Sequence, residues 1–299
     1  RAVDKVIKKH KIKFDLVHCH FLWSSGYVGM KLREKYNVPF IATGHGFDVY
    51  KLPLISKWWE KSIKEILDKA DRITTVSTEN IQLINKLGID SKKVNLIENG
   101  YNSDLFYPIN QDEARKELGI PLNKRVILSV GNLEPVKGHK VLVEAMKKLK
   151  KYFPDTVCYI VGEGSQRILL ENMILKYNLK KNIKLVGYVK HSEVNKWMNA
   201  CDIFVLPSLS ESFGIVQLEA MACGKAVVAT KNEGSKEVII NKDLGLLSNI
   251  KDSEDLAKNI EEALRKNWNT KKIIKYSDSK TWENVLSEVV LIYKNLLRK

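Results

Sequence analysis

Short apolar runs alternate with longer amphipathic stretches along the whole chain. In the second half the runs are Val126–Val130, Val157–Val161, Ile183–Val186, Ile203–Leu206 and Ala226–Ala229. They are apolar at nearly every position, which suits strands buried on both faces. Between them the pattern predicts helices over His139–Tyr152, Gln166–Tyr177, Ser192–Ala200 and Ile215–Ala222. In the first of these, Val141, Leu142, Ala145, Met146 and Leu149 recur at helical spacing. Strand and helix in strict alternation predict a parallel sheet with helices on both sides, linked by right-handed crossovers. That is a doubly wound, Rossmann-like domain.

The first half repeats the alternation with fewer units. Strands are expected at Leu16–Cys19, Phe40–Thr43, Arg72–Val76 and Val94–Ile97, and helices at Tyr27–Tyr36, Ser56–Ala70 and Glu79–Leu87. Four strands make a thin sheet. The stretch Asn99–Pro108 is rich in turn formers and is read as the linker. The expected division is therefore 1–108, then 109–275, then a C-terminal helix within 276–299 that packs back on the first domain. The chain has 299 residues, which at about 150 residues per domain also gives two domains. It opens on Arg1, and the first ten residues read as the end of a helix. The expectation is a first domain whose N-terminal part is missing.

Charge narrows the classes. Lys and Arg number 50 against 35 Asp and Glu, a net charge of +15. The excess is spread along both halves, and only 8 of the 50 cations are Arg. Arg is the usual reader of bases and of bidentate phosphates, so a nucleic-acid partner is not expected. Solvated helix faces account for most of the Lys, and attraction to anionic substrates or to an anionic membrane surface is the functional alternative. No apolar run approaches the length of a membrane span, and the first residues are too polar for a signal peptide. Cys19, Cys158, Cys201 and Cys223 are scattered, without a C-x-x-C pair. They read as reduced thiols of a cytoplasmic protein, with no metal site and no cofactor expected.

Ligands of such folds bind beyond the carboxyl ends of the strands. After Val130 comes Gly131-Asn132-Leu133-Glu134-Pro135-Val136-Lys137-Gly138, a loop that ends in a cation at a helix entrance. Backbone N–H groups and a cation there favour a phosphate. It is neither a P-loop nor G-x-G-x-x-G. Gly162 and Gly164 after the next strand allow close approach of backbone to a ligand, or form a plain turn. Gly187-Tyr188-Val189 is a further candidate for main-chain contact with a base. The strongest signal is Pro207-Ser-Leu-Ser-Glu211-Ser-Phe213-Gly214-Ile215-Val-Gln-Leu-Glu219. A polar loop there enters a helix near Gly214. Glu211 and Glu219 are carboxylates, each able to accept two hydrogen bonds from vicinal hydroxyls. Glu219 stands among apolar Leu218, Ala220 and Met221, so it needs a partner if buried. In the first half, Gly44-His45-Gly46 follows a strand. His18 and His20 are read as pointing to opposite faces of theirs, with His20 favoured for the cleft.

These pieces together resemble the family-four retaining glycosyltransferases with the GT-B fold. The matching segments are G-N-L-E-P-V-K-G-H (131–139), V-G-E-G (161–164), the E-x7-E motif from Glu211 to Glu219, and E-A-M-A-C-G (219–224). D-L-V-H-C-H (15–20), G-H-G-F-D-V (44–49) and N-G-Y-N (99–102) extend the match over about 12–299. The resemblance implies an α/β protein of two Rossmann-like doubly wound domains facing a cleft, the first incomplete. It implies transfer of a sugar from a nucleoside diphosphate sugar to a glycan or lipid-linked hydroxyl acceptor, with retention and without a metal. Lys137 would neutralise the diphosphate, Glu211 would hold the donor sugar beside the amides of Phe213, Gly214 and Ile215, and Glu219 would bind the ribose. Gly162–Gly164 and Gly187–Val189 would frame the base, and His45 would meet the transferred sugar. Gly131 and Asn132 belong to the same donor site. The sequence departs from the family in three places. Asn132 stands where the family often has Arg. Glu233-Gly-Ser-Lys-Glu237 replaces a glycine-rich turn followed by Pro-Glu, leaving Lys236 as an unmatched cation. The family's first strand and its glycine-rich loop have no counterpart. A nucleotide-sugar epimerase or hydrolase of the same architecture, and a non-catalytic sugar-nucleotide-binding fragment, are the alternatives.

Overall fold

The computed structural model describes residues 2–298 and contains two compact units. One comprises Arg1–Asn99 with Glu283–Lys299, the other Gly100–Trp282. The first holds strands β1 (Val17–His20), β2 (Phe40–Gly44), β3 (Arg72–Thr75) and β4 (Val94–Leu96). They pair in the order β1-β2-β3-β4, all parallel. This sheet is wound in one direction only. Its core is built from Phe40, Ala42 and Ile73 against Ile63, Ile66 and Leu67 of the helix Lys57–Lys69. The C-terminal helix Trp282–Leu297 reaches this unit through Tyr293, whose hydroxyl lies 2.6 Å from His18 Nδ1.

The second unit holds β5 (Arg125–Val130), β6 (Thr156–Val161), β7 (Ile183–Gly187), β8 (Ile203–Leu206), β9 (Ala226–Thr230) and β10 (Gly245–Ser248). Their order is β10-β9-β8-β5-β6-β7, again all parallel. Winding runs one way from β5 to β7 and the other way from β8 to β10. The continuous apolar runs have their expected cause. Along β8, Phe204 and Leu206 enter one core while Ile203 and Val205 enter the other. Alternate side chains leave opposite faces of a strand, and here both faces are covered by helices.

Several elements lack a strong enough pattern in the sequence. β10 is four residues with two leucines, and the helix Glu233–Val238 carries a glycine inside it. The helices Gln111–Glu117, Ser253–Arg265 and Thr270–Asp278 were also not foreseen. The unit boundary falls at Asn99/Gly100 instead of after 108. The reason is packing. Tyr101 and Phe106 are buried in the second unit's core. Tyr101 N–H donates to Lys280 O at 3.1 Å, and Trp282 N–H donates to Tyr101 O at 3.0 Å. Asn195 and Asn199 accept from the amides of Tyr107 and Ile109. Turn formers marked this stretch as a linker, but two aromatic side chains decide where it belongs.

Candidate functional site in the second unit

β5 and β8 are hydrogen-bonded neighbours whose chains continue in opposite directions across the sheet. In folds of this kind ligands bind outside the carboxyl ends of strands at such a switch point, and two loops leave β5 and β8 there. The first loop is fixed by backbone bonds to its neighbour after β6. Gly131 N–H donates to Val161 O at 3.0 Å, and Leu133 N–H to Glu163 O at 2.8 Å. Glu134 accepts from the Ser165 amide and hydroxyl. A single turn at Pro135–Lys137 then ends on Gly138, at φ 67°. A Cβ at Gly138 would stand 1.9 Å from Pro207 O. Only glycine allows the two loops this approach. Leu209 N–H completes the junction by donating to Val136 O at 2.7 Å.

That contact brings Lys137 to Glu211. Lys137 Nζ donates to Glu211 Oε1 at 2.7 Å, and Ser208 Oγ donates to the same oxygen at 2.7 Å. Behind them, Thr230 Oγ1 and Asn232 Nδ2 both donate to Ser208 O. Gly234 N–H donates to Glu211 O at 3.0 Å. A side chain at 234 would strike Phe213 N at 2.6 Å. Phe213 is buried, and Gly214 turns the chain at φ 81° into the helix Ile215–Ala222. No side chain caps that helix start. Its first amides and the Lys137 ammonium thus make a local electropositive pole beside one carboxylate.

Glu219 lies about one turn further along the same helix and is 8% exposed. Burial raises its pKa, and His191, with Nε2 at 3.0 Å from Oε1, opposes the rise. The partner that its apolar neighbours called for is therefore this histidine. The remaining loops close up through glycine. Gly162 N–H donates to Gly187 O at 2.8 Å, and a Cβ at Gly162 would lie 2.1 Å from Gly131 O. Tyr188 is exposed and Val189 half-buried. Asn132 is exposed, and its carbonyl accepts from Glu134 N–H at 2.8 Å. Lys236 is not an unmatched cation, because it pairs with Glu233 one helical turn away at 2.6 Å.

In the first unit the expectation for the histidines is corrected. His18 and His20 are two apart on β1, so they share a face. Their rings stack with centroids 4.6 Å apart. His20 Nδ1 lies 2.9 Å from His45 Nε2, and His45 also packs on Phe21. His18 sits between Tyr293 and Thr43 Oγ1, the latter at 2.7 Å from Nε2. Burial, then the neighbouring His20 and His45, hold the His18 pKa down at about 4. Burial and His20 lower that of His45. The loop that carries His45 is tied by Asp48. Its carboxylate accepts from the amides of His45, Gly46 and Leu22 at 2.7–3.0 Å.

Sequence reasoning did not single out Ser208, Asn232, His191, Asp48 or Tyr293. Ser208 and Asp48 lay inside motifs already quoted, and a polar residue in a strand-end loop is the signal for each. His191 and Tyr293 carried no local signal, since their partners are far away in sequence. Cys158, Cys201 and Cys223 are buried, Cys19 is half-buried, and all four are free thiols. Among the described residues no group of three His, Cys, Asp or Glu is placed to hold a metal ion. No described helix is long and apolar enough to cross a membrane.

Known proteins resemble this chain in sequence and fold. An uncharacterized glycosyltransferase of Methanocaldococcus jannaschii is 31% identical over 99% of this chain and 82% of its own. The D-inositol 3-phosphate glycosyltransferase of Corynebacterium glutamicum is 29% identical over 80% of this chain, which spans 61% of that relative's length. Among solved structures, a sucrose-phosphate synthase from Thermosynechococcus elongatus superposes with a TM-score of 0.86 at 27% identity, covering 99% of this chain and 77% of the other. A glycosyltransferase from Rickettsia africae gives 0.84 at 26% identity, covering 100% and 80%. The fold is the α/β two-domain GT-B fold. The model of the Glycosyltransferase Family 4 matches residues 1–105, and that of the glycosyl transferases group 1 matches residues 110–280. With more than half of its length matched by the second of these, the chain belongs to the glycosyl transferases group 1.

Proposed function

We propose that the chain moves a sugar from a nucleoside diphosphate sugar to a hydroxyl acceptor, with retention at the anomeric carbon. The observation that carries this reading is the cluster of Lys137, Glu211 and Ser208 beside the uncapped helix start at Gly214. The leaving group is a diphosphate, so the chemistry asks for positioning and for stabilisation of developing negative charge. Lys137 and the amides near Gly214 and Ile215 supply that stabilisation. Entry of the diphosphate draws Lys137 away from Glu211. The freed carboxylate then accepts hydrogen bonds from the donor sugar's hydroxyls, and Ser208 keeps it oriented.

In the same reading Glu219 takes the ribose hydroxyls, with His191 holding the carboxyl group in place through Oε1. The base lies against the backbone of Gly131–Asn132, Gly162–Gly164 and Gly187–Val189. His45, fixed through Asp48, attends the transferred sugar. No side chain is assigned as nucleophile. Retention would follow from front-face attack by the acceptor as the leaving phosphate accepts its proton. A metal ion has no assigned part, since the chain carries no D-x-D pair to hold one on a diphosphate. Activity should then survive a chelator.

The test is a thermal-shift panel of nucleoside diphosphates and their sugars, followed by transfer assays on the donor that stabilises most. Stabilisation by ligand grows as RT ln(1 + [L]/Kd), so the panel ranks donors directly. Acceptors to try are glycans, lipid-linked glycans and, from the name of the inositol-phosphate relatives, a phosphorylated polyol. Turnover of the donor without acceptor would favour the epimerase or hydrolase alternative. Binding without any turnover would favour a non-catalytic role. No stabilisation by any nucleotide would sink the reading.

A further inference from the structure

We infer that the first unit docks on an anionic bilayer surface through the segment Phe47–Lys61 and the aromatic cluster beside it. This segment folds as the short helices Phe47–Tyr50 and Leu52–Ile55 followed by the longer helix Lys57–Lys69. Leu52 and Pro53 are buried and anchor it. Ser56 is extended and caps the next helix by accepting from Trp59 N–H. The turn leaves Leu54, Ile55 and Trp58 on the outside. Leu54 is 83% exposed, Trp58 58% and Ile55 54%, and Phe47 is exposed as well. Trp58 packs edge-on against Trp23 and Trp59, and Trp23 continues to the exposed ring of Tyr27.

Such a surface is unusual for residues that could be polar without cost to the fold. An aliphatic tip flanked by Trp and Tyr matches the apolar-to-polar gradient of a headgroup layer. The charge around it chooses among occupants. Lys51, Lys57 and Lys61 are exposed, and the acids near the patch are Glu60, Glu34 and Glu65, the last acting on Lys31. Glu60 pairs with Lys57 at 2.8 Å, and Asp48 is buried on backbone amides. Lys31 stands over the Tyr27 ring and pairs with Glu34. The patch is thus net positive, as is the whole chain at +15. A second copy across a twofold axis would set these lysines against themselves. An anionic surface attracts every one of them.

Sedimentation with vesicles of phosphatidylcholine, with and without phosphatidylglycerol, tests this without any sugar donor, so its outcome is separate from that of the proposed transfer. The expected result is binding to the anionic vesicles with a blue shift of tryptophan emission, and weakening by salt. Leu54→Glu should lower partitioning at least about tenfold, since it replaces a buried aliphatic contact by a charge. Lys51→Glu with Lys61→Glu should do the same through electrostatics and serves as the second variant if Leu54→Glu misfolds. Ile168→Glu, at an exposed apolar position of the other unit, should change nothing. Equal binding by wild type and patch variants overturns the inference, as does equal binding to neutral vesicles. A lipid-free dimer, seen by sedimentation velocity and lost in Leu54→Glu, overturns it in favour of a second copy.

Discussion

Lys137 and Glu211 are 74 residues apart in sequence, yet their charged ends meet at 2.7 Å. The meeting point lies where strand order reverses. The pair is partly open to solvent, so its own contribution to stability is small, about 0–1 kcal/mol. Its consequence is chemical. Cation and carboxylate satisfy each other here, and under the proposed function a donor with both phosphate and hydroxyls would separate them. Lys137→Ala should lower nucleoside diphosphate affinity and transfer rate together, the rate by about a hundredfold or more. Glu211→Gln should leave diphosphate affinity close to wild type and lower kcat. Titration with the free diphosphate alongside initial rates separates the two. Normal transfer by both variants would remove these residues from the site.

Gly138 and Gly234 set the approach of the loops that carry this pair. Gly138→Ala forces a Cβ to within 1.9 Å of a carbonyl oxygen at a left-handed φ, and the backbone must move. A strained backbone position of this type costs about 1–3 kcal/mol. The expected outcome is a lower Tm and a weakened thermal shift with nucleotide. Gly119→Ala is the comparison: it has the same backbone conformation with nothing within 4 Å of the added carbon. It should lose stability from strain but keep the nucleotide shift. Equal behaviour of the two variants would mean that loop approach does not matter for the site.

The contrast between these loops and the first unit shows what a chain discloses by itself. β8 was readable to the residue because burial on both faces removes every polar position from Ile203–Leu206. The Lys137 and Glu211 loops were readable because each follows such a strand and ends at a helix start. Tyr101 and Phe106 were misplaced, since turn residues around them speak only of local geometry while their rings choose the second core. The histidine row failed for a different reason. Period two on a strand puts His18 and His20 on one face, where their rings stack, against the expectation of opposite faces. His191 was invisible, because a contact over 28 residues leaves no periodic trace.

The Glu219–His191 contact makes a specific claim about ribose. Burial raises the carboxyl pKa and the His191 contact opposes the rise, while His191 Nε2 at 3.0 Å from Oε1 fixes the group; the proposed role is to receive the ribose hydroxyls. Glu219→Ala should weaken nucleoside diphosphate binding about tenfold, the cost of lost hydrogen bonds to a charged group. The 2′-deoxy nucleotide should bind wild type about as weakly as the ribonucleotide binds the variant. In the variant the two nucleotides should bind alike. A double-mutant-style cycle over enzyme and ligand measures this coupling directly. An undiminished preference for the ribonucleotide in Glu219→Ala would move the ribose contact elsewhere.

His18 and His139 both have pKa values near 4, set chiefly by burial, against an ordinary 6.5. The unfolded chain therefore takes up protons on these rings at a higher pH than the folded chain does. Stability is complete above pH 6.5, falls as pH drops from 6.5 towards 4, and gains no further loss from these groups below that. The two sit in different units, so their effects should be separable. His18→Gln retains a hydrogen-bonding group between Thr43 and Tyr293 while removing the titration. Thermal unfolding followed between pH 4 and 7 should show a shallower decline for His18→Gln in the transition that reports the first unit, with the Tm at pH 7 changed far less than the slope. His139 Nδ1 is buried without a partner, so His139→Phe should flatten the decline of the second unit in the same way. An unchanged pH slope in both variants would place the acid sensitivity in other groups.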